Sequence, residues 1–282
     1  MRKIDSGRMY DTYYGHPVEH LQFIIDNKSD KITTIVYLAG DSSLDNKHWI
    51  PENERLPVSS KISKFMTREY AKCKPDVAYW VNRGSPSYIL CMNCAVEEAK
   101  ISTKTNNGLN AQDLLIRDNI TKDDVLVISI GGNDVALASD ISTILAMGCL
   151  LYVTTALPKW YLLCKFKTQL REYIEKLTTV TQPKTIILCS IYYPCKYGNG
   201  WATKFLDRIS YNTNPELIHR FIDDFHEYVI DGLVGELNNA HSLKLSDILD
   251  WETSEHYISR VEPSSAGGKC IAKEIIQIIK QL

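Results

Sequence analysis

Two short motifs in this sequence carry residue types suited to acyl transfer. Leu38-Ala39-Gly40-Asp41-Ser42 sets a serine just past an apolar run, after a glycine that permits a tight turn. A serine hydroxyl presented there can attack a carbonyl carbon, provided a base takes its proton. Far along the chain, Ile130-Gly131-Gly132-Asn133-Asp134 follows another apolar run. Gly131 and Gly132 let the backbone come close to a ligand. Asn133 offers a side-chain amide of the kind that steadies an oxyanion. Asp41 and Asp134 read as braces for the two turns, accepting backbone N–H groups. Each motif alone could be a simple turn. Their order, each at a strand end, is jointly specific.

The elements that must position these residues are legible as alternating runs. Ile32 to Leu38, Tyr88 to Met92, Val125 to Ile130 and Thr185 to Cys189 are continuous apolar stretches bounded by turn signals. Such runs suit strands buried on both faces, as in a parallel sheet. Helical patterns lie between and after them. Lys167 to Thr179 sets Leu170, Tyr173, Ile174 and Leu177 on one stripe. Pro215 to Leu237, capped by Asn214, sets Leu217, Phe221, Phe225, Val229 and Leu233 on another. Ala266 to Ile279 turns Ile271, Ile275 and Ile278 inward. The alternation predicts a three-layer α/β/α sandwich around a central parallel sheet, with sites where loops leave the carboxyl ends of the strands.

Composition sets the outer bounds. The 282 residues suffice for a large core without staples. Thirty-two basic residues against 34 acidic ones give a net charge of -2 with no long basic run, so neither nucleic acid nor an anionic membrane is an expected partner. The polar N-terminus has no apolar run to read as a signal peptide. A cytoplasmic location with the eight cysteines as free thiols is therefore expected. Cys91 and Cys94 form a CxxC without a second pair or histidine cluster. They read as buried small side chains rather than a metal or redox pair. The apolar stretch Ile141 to Leu157 is at the lower limit for a membrane span and reads as a buried helix or a lid. The expected organisation is one domain over 1–282, with 1–30 an N-terminal extension and 141–165 an insertion.

The two motifs resemble the first and third blocks of the SGNH hydrolases, the GDSL esterases and lipases. Met92-Asn93-Cys94-Ala95-Val96-Glu97-Glu98 stands where their second block follows the second strand, with Gly108-Leu109 and a helix after it. Pro263-Ser264-Ser265-Ala266-Gly267 resembles the tail of their fifth block. The resemblance runs from about Lys31 to Leu282 and implies a flavodoxin-like fold. It also implies that Ser42 attacks an ester of a lipid, sugar or small molecule. The oxyanion would be held by the Ser42 N–H, the N–H of the second-block residue and the Asn133 amide, without metal or organic cofactor. Gly132 and Asp134 support that block.

Three positions depart from the family. Glu98 stands at the second-block glycine, Glu262 at the base histidine, and Ser259 at the aspartate three residues earlier. Glu98 can still supply a backbone N–H. The base is the larger question, since an ordinary glutamate is too acidic for the task unless burial raises its pKa. His256, in the same loop and oriented by Glu252, Glu255 or Glu262, is taken as the working base, and Glu262 itself is the other candidate. His48 is a further candidate. Asp45, Asn46 and Lys47 follow the nucleophile and are expected near the cleft, with Lys47 solvated. Trp49, Tyr192, Tyr193 and Trp201 lie near strand ends, where they line a pocket or pack in the core. The competing reading is a binding or scaffold protein on the same fold that has lost its base. A nucleotide-binding reading finds neither GxGxxG nor GxxxxGK[ST]. Oligomeric state is not legible.

Overall fold

The computed structural model describes residues 3–68, 70–136 and 156–282. Five strands form the main sheet: β1 (Thr34–Gly40), β2 (Ile89–Asn93), β3 (Val125–Ser129), β4 (Thr185–Cys189) and β5 (Ala240–Leu243). Their order is β2-β1-β3-β4-β5, and every neighbouring pair is parallel. This is the flavodoxin-like order, with its switch point between β1 and β3. The first four strands are the apolar runs of the sequence. β5 (Ala240-His241-Ser242-Leu243) escapes that reading because an edge strand needs no continuous apolar run.

The strand alternation sorts the core into two faces. Ile35, Tyr37 and Ala39 of β1 point to one side, with Leu126, Ile128, Ile186 and Leu188. Val36 and Leu38 point to the other, with Val125, Val127 and Ile187. On the first face pack α1 (Val18–Asp26), α3 (Ala111–Asn119), α4 (Ala156–Leu177) and α5 (Glu216–Asp224). On the second pack α2 (Val77–Gly84) and α6 (Ser265–Lys280). The result is the expected three-layer α/β/α arrangement.

The helical stripes hold with two adjustments. In α5, the wider π turn that continues it over Phe225–Asp231 and the helical turn Gly232–Val234 after that, Phe221, Phe225, Val229 and Leu233 are buried. Ile218 replaces the half-buried Leu217 at the start. In α6, Ile271 and Ile275 are buried but Ile278 is only partly so. The N-terminal extension is not separate from the body: Ile4, Met9, Leu21 and Ile24 join the first core face. Most of the 141–157 stretch lies outside the described residues; Ala156 and Leu157 open α4. No described helix is long and apolar enough to cross a membrane.

The crossover from β1 to β2 runs through α2 on one face, and that from β2 to β3 through α3 on the other. The loops leaving β1 and β3 therefore diverge, and the crevice between them opens at the carboxyl ends. The two strands come very close there. Gly40 has φ +125°, and a Cβ on it would stand 1.8 Å from the Ser129 carbonyl oxygen. Gly40→Ala is expected to cost about 2–4 kcal/mol in denaturant melts, through left-handed strain and collision with backbone. An unchanged midpoint would contradict this contact.

Candidate active site

The turn after β1 is held by its own side chains. The Asp41 N–H donates to the Ser129 carbonyl at 3.0 Å. Asp41 Oδ1 accepts the Ser43 N–H at 3.0 Å and the Ser43 hydroxyl at 2.6 Å. Ser43 Oγ also lies 2.7 Å from Ser129 Oγ, tying the turn to β3. Burial pushes the Asp41 carboxyl up to about 6, against the pull of the Ser43 bonds. Ser42, next to this brace, lines the crevice.

The loop after β3 is fastened to the loop after β2 in the same way. Asp134 accepts the Ile101 N–H at 2.8 Å, the Ser102 N–H at 3.1 Å and the Ser102 hydroxyl at 2.7 Å. Gly132 and Asn133 open the short helix Gly132–Ala136, and Asn133 Nδ2 donates to the Ala99 carbonyl at 3.1 Å. That bond orients the amide and uses one of its two N–H groups. Glu98 has φ +60°, in the left-handed region that glycine adopts most readily. Its carboxylate accepts the Tyr13 hydroxyl at 2.8 Å.

Ser42, Glu98, Asn133 and Glu262 line one open pocket, together with Tyr13, Trp49 and Trp201. Ser42, Asn133 and Glu262 also line a second, largely apolar cavity of about 100 Å³. Its walls include Ile191, Phe205, Leu206, Ile218, Phe221 and Val261. The two loops singled out in the sequence thus converge on a shared space.

Glu262 is 2% exposed. Trp201 Nε1 donates to its Oε1 at 3.1 Å. Among the described residues its Oε2 has no hydrogen-bond partner of good geometry, although the Ser42 hydroxyl is near enough to favour the charged form. Burial raises its pKa to about 8. The Ser42 and Trp201 contacts draw it down, and the charges of Asp41 and Glu97 push it further up. The carboxyl is clamped from both sides in sequence: Tyr192 OH donates to the Val261 carbonyl at 2.6 Å, and Asn46 Nδ2 to the Pro263 carbonyl at 2.9 Å. Asn46 lies in the Ser42 loop, so one bond joins nucleophile loop and Glu262 segment.

His256 is the correction. Its ring does not turn to Ser42. Nδ1 accepts the Asp250 N–H at 3.0 Å, and Nε2 lies 3.8 Å from Cys270 Sγ. Its carbonyl accepts the Ser264 N–H at 2.9 Å, which fixes the backbone at the head of α6. His48 is exposed and packs on Tyr13 and Trp49, with ring centroids 4.5 and 5.2 Å away.

Lys47 is the other correction. It is fully buried, with Nζ 2.5 Å from Asp45 Oδ2 and 2.9 Å from Glu97 Oε1. Glu97 Oε2 also accepts the Gly15 N–H at 2.6 Å, which brings in the N-terminal segment. Pairing, rather than water, satisfies the ammonium. Glu97 and His16 are the site's neighbours that the sequence reading assigned no role, and Asp45, expected near the cleft, pairs with Lys47. The only signal for them is position, since Asp45 and Lys47 follow the first block and Glu97 ends the second. Trp201 and Tyr192 line the apolar cavity and Trp49 the open pocket. Tyr193 instead stacks on His219, 3.8 Å between ring centroids. Cys91 and Cys94 are buried on opposite core faces.

No protein-family model matches the chain, and no curated protein matches it. Solved structures share its fold. The lipase Lip_vut3 from a goat rumen metagenome superposes with TM-score 0.50 at 14% identity, over 86% of this chain and 96% of the lipase. The native M. smegmatis aryl esterase does so with TM-score 0.50 at 10% identity, over 89% of this chain and 99% of the esterase.

The buried carboxyl makes a linkage prediction. The folded-state pKa of Glu262 is raised above its unfolded value, so its contribution favours folding fully below the unfolded pKa and fades as pH rises through about 8. Glu262→Gln should therefore match the parent in denaturant melts near pH 4. At pH 8 it should be more stable, by on the order of 2–4 kcal/mol. A pH-independent difference would contradict the shifted carboxyl.

Proposed function

We propose that this chain is a serine hydrolase of esters with an apolar acyl group, using Glu262 as its general base. The observation that carries this is the shared lining of one crevice by the Ser42 hydroxyl, the Asn133 amide and the buried Glu262 carboxyl. Support at the level of fold comes from the lipase and the aryl esterase, whose names both denote ester hydrolysis.

In the proposed reaction the Glu262 carboxylate accepts the Ser42 Oγ proton as Oγ bonds to the substrate carbonyl carbon. The carbonyl π pair moves onto oxygen. The Ser42 and Glu98 N–H groups and the free N–H of Asn133 Nδ2 donate to that oxyanion. Collapse breaks the ester C–O bond, and Glu262 returns its proton to the leaving alkoxide. Water, deprotonated by the same carboxylate, then attacks the acyl carbon; the bond to Ser42 Oγ breaks, Glu262 returns the proton to Oγ, and the free acid leaves. No step draws on a cofactor. The apolar walls suit a hydrocarbon acyl chain better than a hydroxylated one. A carboxyl with a pKa near 8 is far better matched to a serine hydroxyl than an ordinary glutamate.

The pH profile tests the base. For a p-nitrophenyl ester, kcat/KM should rise with pH, tenfold per unit, and level off above about 8, because only the ionised carboxyl accepts a proton. Glu262→Gln should lower kcat by about 10²–10⁴-fold. His256→Ala should leave it within a few-fold. A large loss in His256→Ala with a mild one in Glu262→Gln would overturn the assignment.

A fluorophosphonate probe should label Ser42, and the label should vanish in Ser42→Ala. A folded protein that takes no label and turns over no ester of any chain length would instead favour a ligand-binding role.

A further inference from the structure

Behind the Ser42 loop, three side chains from separate segments meet in the protein interior. His16 comes from the N-terminal segment, Asp45 from the loop after β1, and Asp76 from the N-cap of α2. All three are nearly inaccessible to solvent, at 2%, 0% and 1% exposure. His16 Nε2 stands 3.5 Å from Asp76 Oδ2 and 3.8 Å from Asp45 Oδ1. One ligand atom from each lies within 4.8 Å of the others.

The remaining bonds of these groups fix their chemistry. His16 Nδ1 is 2.8 Å from the Met9 carbonyl oxygen, which can only accept, so Nδ1 carries a proton. In the neutral ring, Nε2 is then a bare lone pair aimed at two carboxylates. Neither His16 Nε2 nor Asp45 Oδ1 has a hydrogen-bond partner among the described residues. The other Asp45 oxygen accepts Lys47 Nζ. Asp76 Oδ1 caps the Tyr79 N–H at 2.7 Å, and its Oδ2 accepts Asn93 Nδ2 at 2.7 Å. Charge is unbalanced as well. Asp45, Asp76 and Glu97 are three buried carboxylates; Lys47 pairs with Asp45 and Glu97, and among the described residues no lysine or arginine pairs with Asp76. Buried anions without countercharge are costly, and converging lone pairs add repulsion.

We infer that His16, Asp45 and Asp76 bind one divalent cation of the zinc class, through His16 Nε2 and one oxygen from each carboxylate. A cation of charge two cancels the excess of two negative charges. Tetrahedral ligands at about 2.0–2.1 Å from zinc stand about 3.3–3.4 Å apart, close to the separations His16 makes here. One nitrogen and two carboxylate oxygens are a donor set zinc accepts. The Met9 carbonyl and Asn93 amide act as outer partners that orient ring and carboxylate. A cavity of about 20 Å³ bordered by His16 and Asp76 has room for one water as fourth ligand. The ion braces three segments around the Ser42 loop and lies outside the pockets lined by Ser42, so its role is structural. The proposal is independent of the esterase reading.

The competing state is a protonated His16, an imidazolium bridging the two carboxylates. Full-length protein stripped with a chelator and titrated with ZnCl2 in a calorimeter separates the two. One equivalent should bind and raise the Tm by several degrees, and His16→Ala should lose both effects. Should His16→Ala not fold, Co(II) added to the unaltered protein supplies the reading without a variant. It should give the visible bands of four-coordinate cobalt with no sulfur-to-metal charge-transfer band. No saturable binding, together with an imidazole ¹⁵N spectrum showing both His16 nitrogens protonated at pH 7, would overturn the proposal. A sulfur charge-transfer band would also overturn it, by moving the ion to cysteines.

Discussion

Exclusion of water from the Glu262 carboxyl is the condition on which the proposed chemistry rests, and four parts of the chain maintain it. Trp201 covers one oxygen and donates to it. Tyr192 and Asn46 hold the carbonyls on either side, and Ile218, Phe221 and Val261 give the adjoining cavity an apolar lining. Without this enclosure the carboxyl would titrate as an ordinary glutamate and would be a weak base for a serine. The same enclosure withdraws stability, because a buried carboxylate has lost its hydration. The fold carries a destabilised group where the reaction would use it, a pattern common to sites that do chemistry.

The loop carrying Ser42 is held by charge rather than by apolar packing alone. Lys47 is sealed between Asp45 and Glu97, and Glu97 also receives Gly15. A buried pair of this kind adds little net stability, yet removing one partner leaves an uncompensated charge. It therefore favours a single geometry for the first- and second-block loops. Asp134 does the same between second and third blocks. The three loops that supply the hydroxyl, the Glu98 N–H and the amide are thus linked in sequence order by carboxylates.

Much of this was legible in the residues. Strands buried on both faces need continuous apolar runs, so β1 to β4 announced themselves, and the strand-end glycines marked where the loops would turn. Glu98 was expected at a glycine position from the resemblance alone, and its backbone lies at φ +60°. Side-chain pairing across long separations was not legible. Nothing in Asp45-Asn46-Lys47 says that Glu97 and His16 will close over them, so Lys47 read as solvated. Nor does a histidine in the right loop say which way its ring turns. His256 satisfies Asp250 and packs by Cys270, a local matter that no spacing rule captures.

Serine at 259 and glutamate at 262 make physical sense together in the proposed chemistry. A histidine base needs a partner to fix its tautomer and to compensate the imidazolium it becomes. Position 259 holds serine, at φ +53° in a tight turn whose next residue, Arg260, is buried against the Cys195 carbonyl and Asn212. No carboxylate stands there to serve a histidine at 262. A glutamate has no tautomer to choose, and proton transfer neutralises it instead of charging it. Its requirement is a raised pKa, which burial supplies and an aspartate at 259 would not be needed to provide. A serine at 259 and a carboxyl at 262 are therefore mutually consistent in the proposed chemistry. Trp201, Tyr192 and Asn46, closed around residue 262, supply that burial.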